Sequence, residues 1–133
     1  MNIKFYGHNC FFLKGKSANI LTDPWLSNCG AFFGSWFQWP TNHHYMTNLL
    51  NEIQQDKKNF LFISHEHQDH FDKKTLNEIK PFIEACIIPK YYDSFLKNQI
   101  TKLGYKVIEL NDHEKYFISE KDFNLALKME AYS

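Results

Sequence analysis

Apolar and polar positions change places quickly over the first 22 residues. Ile3 to Tyr6, Cys10 to Leu13 and Asn19 to Thr22 each read as a short strand. Gly7 breaks the first, the turn around Gly15 ends the second, and Asp23-Pro24 closes the third. Three strands in such close succession predict a β-meander. Residues 25–40 then lose any regular period: Trp25, Phe32, Phe33, Trp36, Phe37 and Trp39 are interrupted by Gly30 and Gly34, which predicts a long aromatic loop. Beyond it the period lengthens. Met46, Leu49, Leu50 and Ile53 share one face of a helix from about His43 to Gln55, with Thr41 or Asn42 as its N-cap. Phe60 to Ile63 is an unbroken apolar run, the pattern of a strand buried on both faces. A helix over Asp72 to Ile79 turns Leu76 and Ile79 inward and ends at Pro81, and Ala85 to Ile88 is the next strand. Tyr92, Leu96, Ile100 and Leu103 mark another helix, stopped by Gly104, and Lys106 to Leu110 is a strand. After a turn at Asn111–Glu114, Lys115–Ser119 and the alternating Phe123–Ala131 predict two more strands. The order is a β-meander, then β-α-β-α-β, then antiparallel β, which is an α/β fold.

Composition narrows the setting. A chain of 133 residues with 44% apolar side chains is expected to form one domain, over 1–133, with a real core. Its formal net charge is zero and it contains no arginine, so a nucleic-acid partner is not expected. Cys10, Cys29 and Cys86 are odd in number and none sits at Cys-x-x-Cys spacing, which argues for free thiols in a reducing compartment. No apolar run reaches membrane-spanning length and no signal peptide is evident, so a cytoplasmic location is expected.

The chemistry concentrates in His65-Glu66-His67-Gln68-Asp69-His70, directly after the buried strand. Two imidazoles two positions apart on an extended turn can address one cation, and Asp69 with His70 can face a second. Imidazole with carboxylate suits Zn, Fe or Mn. The bland alternative is a polar surface loop that happens to be rich in histidine.

This H-x-H-x-D-H run after a buried strand resembles the signature of the metallo-β-lactamase fold superfamily. Gly7-His8 resembles the Gly-His motif of the sub-group containing ascorbate-6-phosphate lactonase and N-acylphosphatidylethanolamine phospholipase D. Thr22-Asp23-Pro24 resembles the Thr-Asp-Pro motif of that sub-group. The extension Trp25-Leu26, with Phe32, Phe33 and Trp36, is similar to the CMP-N-acetylneuraminate hydroxylase branch. The resemblance covers roughly residues 2 to 132. It implies the N-terminal half of an αββα sandwich and a metal-dependent hydrolase acting on a lactone, phosphodiester or related ester or amide bond by metal-bound hydroxide. It implies two divalent metals, two Zn with Fe or Mn as alternatives. His65 and His67 would bind the first metal and Asp69 and His70 the second, with Asp69 as the candidate catalytic carboxylate. Asp23 would accept a hydrogen bond from a ligand imidazole, although a plain turn residue before Pro24 is the competing reading. His8 would sit near the site mouth, or be an ordinary turn histidine.

The family pattern needs later ligands. His113 follows His70 but lies in the Asn111–Glu114 turn and reads as a surface residue. The chain is therefore expected to be truncated before those ligands, with weak metal binding and little activity alone. Two other readings stand beside the hydrolase: an oxidoreductase-type member related to nucleotide-sugar hydroxylases, and a non-catalytic remnant or interaction module. The loop over 25–39 reads as a lid, as core, or as a surface for self-association. Lys73-Lys74, close after the motif, would favour a small anionic substrate, or simply be solvated.

Overall fold

The computed structural model describes residues 2–16, 18–54, 57–117 and 124–126. Six strands form one mixed sheet in the order β1 (Asn2–Phe5), β2 (Phe11–Lys14), β3 (Ala18–Thr22), β4 (Lys58–Phe62), β5 (Ala85–Pro89) and β6 (Val107–Leu110). The first three are antiparallel neighbours, as the meander pattern predicts. From β3 onward the pairs are parallel, with Ile20 opposite Phe60 and Phe60 opposite Ala85. Parallel pairs need crossovers, and the helical segments supply them. α2 (Tyr45–Ile53) links β3 to β4, α3 (Lys73–Ile79) links β4 to β5, and α4 (Phe95–Lys102) links β5 to β6.

Side-chain alternation divides the core between the two sheet faces. Leu21, Leu61, Cys86 and Ile88 point to the helical side, where Leu49, Ile53, Leu76, Ile79, Leu96 and Ile100 meet them. Ile20, Phe60, Ala85 and Ile87 point the other way and pack with Leu110. β4 is therefore buried on both faces, as its unbroken apolar run predicts. A buried Asn59 side chain ties these layers, donating to the carbonyls of Ile53 and Phe82 while accepting from Asn19.

Two local outcomes differ from the sequence pattern. Asn42 does not cap α2. Its amide is buried and donates to the carbonyls of Tyr6 and Trp25, so it holds the aromatic loop against the end of β1. The aromatic loop is not uniformly irregular: α1 (Ala31–Gly34) is a single distorted turn with Phe32 and Phe33 at positive φ, bridged from Ala31 to Trp36. The two final strands are seen as the antiparallel pair β7 (Lys115–Phe117) and β8 (Asn124–Ala126). Ile118, Ser119, Phe123 and residues 127–131 of their expected spans lie outside the described residues. Among the described residues no helix is long and apolar enough to cross a membrane.

Candidate metal centre

β1 and β3 both pair antiparallel with β2, so they run parallel to each other. The turn after β1 therefore emerges at the same sheet edge as the C-terminal ends of β3 and β4. That edge is where parallel sheets gather their functional groups. It receives His8 and Asn9 from the first turn, Asp23 from the end of β3, and residues 64–70 from the end of β4. Thr22 pins the first turn in place: its hydroxyl donates to the Asn9 carbonyl at 2.8 Å and accepts from the Phe11 amide at 3.0 Å.

Asp23 organises the middle of this edge. Its amide extends the ladder to the Phe62 carbonyl at 2.9 Å. It sits at φ 34°, a left-handed conformation that Asp tolerates better than most residues. Its buried carboxylate accepts three hydrogen bonds: from the Ser64 amide at 2.7 Å, from the Ser64 hydroxyl at 2.6 Å and from Nδ1 of His70 at 2.9 Å. Asp23 is therefore far more than a turn residue ahead of proline.

These bonds decide two tautomers. An ionised carboxylate has no proton to give, so Nδ1 of His70 must be the donor and its Nε2 keeps a lone pair. The Ser64 hydroxyl has its one proton committed to Asp23. Nδ1 of His65, 2.8 Å from that oxygen, must then donate to it, which again leaves Nε2 with the lone pair. One aspartate thus turns two imidazoles outward in the form that binds cations, the arrangement carboxylate–histidine pairs provide at metal centres. Tyr91 adds a hydrogen bond to the Ser64 carbonyl.

The other side chains close around this pair. The ring of His65 lies 4.6 Å from that of His67 and 4.1 Å from that of His70. Burial, followed by the neighbouring His70 and His67, pushes the His65 imidazole below its ordinary pKa and keeps it neutral. Asp69 is 7% exposed. Burial works to raise its carboxyl, but the His8 hydrogen bond first, and the electrostatic influence of the His70 ring after it, hold it below the usual range. Oδ2 of Asp69 lies 2.9 Å from Nε2 of His8 and 3.1 Å from Nε2 of His70. Its Oδ1 is buried with no hydrogen-bond partner among the described residues. The lone pair on His70 Nε2 faces this carboxylate and meets only a long contact, 3.4 Å, from the Asn9 side-chain amide, so a cation between the two would relieve their repulsion. Together with the orphaned Oδ1, this donor set of imidazoles and carboxylate fits a divalent metal.

Aromatic residues wall the site. Trp25 and Trp36 approach His8 edge-on at 5.5 and 5.4 Å between ring centres, and Phe32 lies 6.2 Å from His67. The Gln68 side-chain oxygen, Oε1, accepts from the Phe33 amide, which fastens the loop to the motif turn. The loop thus divides: Trp25 and Leu26 are core, Phe32 and Trp36 are wall, and Phe33 and Trp39 are exposed. A cavity of about 350 Å³ beside the turn is lined by Trp25, Phe33, Glu66, Gln68 and Lys73 among others.

Every candidate residue of the sequence stands at this edge. His8 comes closer than the site mouth, onto Asp69 itself. Ser64, Asn9 and Tyr91 were not anticipated. Ser64 directly precedes the motif, so its position was a usable signal; nothing near Tyr91 marks it. His113 stays at an exposed turn, and Cys10 and Cys86 are core thiols whose pKa burial pushes up.

Comparison with known proteins agrees with this architecture. Residues 2–128 match the model of the beta-lactamase superfamily domain, and the chain belongs to that family, with the N-terminal region of a metallo-β-lactamase fold. It is 30% identical over 120 residues to a Mycolicibacterium smegmatis protein named as a Rieske 2Fe-2S iron–sulfur protein, covering 90% of this chain and 22% of that one. It is 30% identical over 70 residues to a metal-dependent hydrolase of Pyrobaculum islandicum, covering 53% of this chain and 24% of the relative. In structure it resembles a variant of the CmlA β-hydroxylase, with TM-score 0.65 and 23% identity, covering 90% of this chain and 23% of that one. The chain thus spans under a quarter of the length of each of these relatives.

Proposed function

We propose that the chain carries the metal-binding edge of a hydrolase, with His65 and His67 holding one divalent cation and Asp69 and His70 a second. The observation that carries this reading is the fixing of His65 and His70, through Ser64 and Asp23, in the tautomer that leaves each Nε2 with its lone pair. Zn is the first candidate, with Fe or Mn as alternatives. When bound, such cations supply Lewis acidity and lower the pKa of water. The side chains of this chain do the rest. Asp23 and Ser64 orient the imidazoles, Asp69 supplies the carboxylate charge, and Phe32 and Trp36 limit water on one side. Lys73 and Lys74 at the start of α3 favour an anionic substrate, with lactones and phosphodiesters as the classes to try.

The test is metal uptake by the chain, followed by hydrolysis of a model lactone and a model phosphodiester. The reading expects bound zinc above background, and loss of one of the two zinc ions together with turnover in His67→Ala. Absent uptake, or uptake and turnover unchanged by that substitution, would overturn it.

A second reading is an oxidoreductase-type member, and the similarity to the Rieske-named protein favours it. This chain has no Cys-x-His pair for such a cluster. Oxygen consumption dependent on added Fe(II) and a nucleotide sugar separates the two readings.

A further inference from the structure

We infer that His8 is a direct third protein ligand at the Asp69–His70 position, so that residues 8, 69 and 70 form a three-ligand cation centre. This rests on the metal-binding reading of the motif turn and adds a residue that the motif does not contain. Nε2 of His8, a carboxylate oxygen of Asp69 and a ring nitrogen of His70 lie within 4.8 Å of one another. The two nearest approaches, at 2.9 and 3.1 Å, converge on the same oxygen, Asp69 Oδ2. Ligand atoms about 2.0–2.2 Å from one small cation stand close to these separations from each other.

The second observation is independent of that geometry. Oδ1 of Asp69 is buried and has no partner, although the residue is only 7% exposed. A buried carboxylate oxygen without a partner is costly, and a cation answers it. Without the cation, His8 Nε2–H is the donor to Asp69. On binding, that proton passes to Nδ1, which has no hydrogen-bond partner among the described residues, and Nε2 becomes the ligand. Two imidazoles and one carboxylate with remaining positions open are a donor set that supports chemistry as well as structure. His8 reaches the site through backbone conformation: its φ of 51° follows Gly7 at φ 99°. The turn is in turn held by Thr22.

The direct test is the full chain, ¹⁵N-labelled at histidine and loaded with ¹¹³Cd. Scalar coupling marks each ring nitrogen bonded to the metal. The inference expects Nε2 of His8 and Nε2 of His70 to couple to one and the same cadmium. Coupling of His70 without His8 overturns it and leaves the parent reading standing. No coupling to any of His8, His65, His67 and His70 overturns the parent reading as well. His8→Asn gives a second arm, since Asn tolerates the left-handed turn. It is expected to abolish the cadmium resonance coupled to His70 and to keep the one coupled to His65. A His70-coupled resonance that persists unshifted in this variant overturns the inference.

Discussion

The two halves of the motif turn are held very differently. Asp69 and His70 are braced from several sides: Asp23 takes the His70 proton, His8 bonds Asp69, and both partners come from strand ends remote in sequence. His65 has one brace, the Ser64 hydroxyl, and His67 meets only the edge of Phe32 and neighbouring rings. The lesson is that the same short sequence yields one preorganised half and one half that depends on a single adjacent residue. Preorganised ligands give up less conformational freedom when a cation arrives.

The strongest way to break this contrast is Asp23→Ala. It removes the acceptor of three hydrogen bonds and leaves the Ser64 amide without its partner. A loss of about 3 kcal/mol is expected, because charged acceptors and orphaned donors both contribute. Urea unfolding checks it, and ¹⁵N spectra should show both imidazoles released from their Nδ1–H form. A milder break is Ser64→Ala, expected to cost about 1 kcal/mol. It should release His65 alone, while His70 keeps its tautomer in the same spectra. If both change together, the two halves are not separately held. A control far from the turn comes from Glu52, which Lys14 and Lys4 bond from β2 and β1. Those hydrogen bonds, Lys14 first, hold its carboxyl below 4.5. The contribution is therefore present above the unfolded value near 4.5 and is lost as pH falls through the lower folded one. Its partly exposed setting limits it to under about 1 kcal/mol, and Glu52→Gln should flatten that part of the pH–stability curve. The smallest effect is expected for His67→Ala, within about 0.5 kcal/mol in thermal melts without metal, since no hydrogen bond in the structure depends on it.

The contiguous features of this molecule were legible in its sequence. The meander, the doubly buried β4 and the three crossover helices follow from runs of side chains whose period is local. The motif turn was legible for the same reason, since its histidines and Asp69 lie within six positions. Contacts set by topology were not. His8 meets Asp69 because β1 runs parallel to β3, and no local pattern reports that. Ser64 becomes a relay only because Asp23 folds back at positive φ to receive both its amide and its hydroxyl. Asn42 looks like a cap, yet its side-chain oxygen accepts from Gln38 instead of the helix end, while its amide donates to the carbonyls of Tyr6 and Trp25. The aromatic loop resisted reading because it has no period, so which rings are core and which face solvent is decided only by what packs beside them.

The contact between His8 and Asp69 spans 61 positions of chain. Whatever tightens that contact also closes a loop containing β2, β3, the aromatic loop, α2 and β4. Loop closure carries a conformational cost that grows slowly with length, so a single bound ion at this point would act as a clasp on nearly half the chain. Its concentration would then set how often the first turn and the motif turn are found together. In that sense the site is also a fastener between two turns that the sheet already brings together.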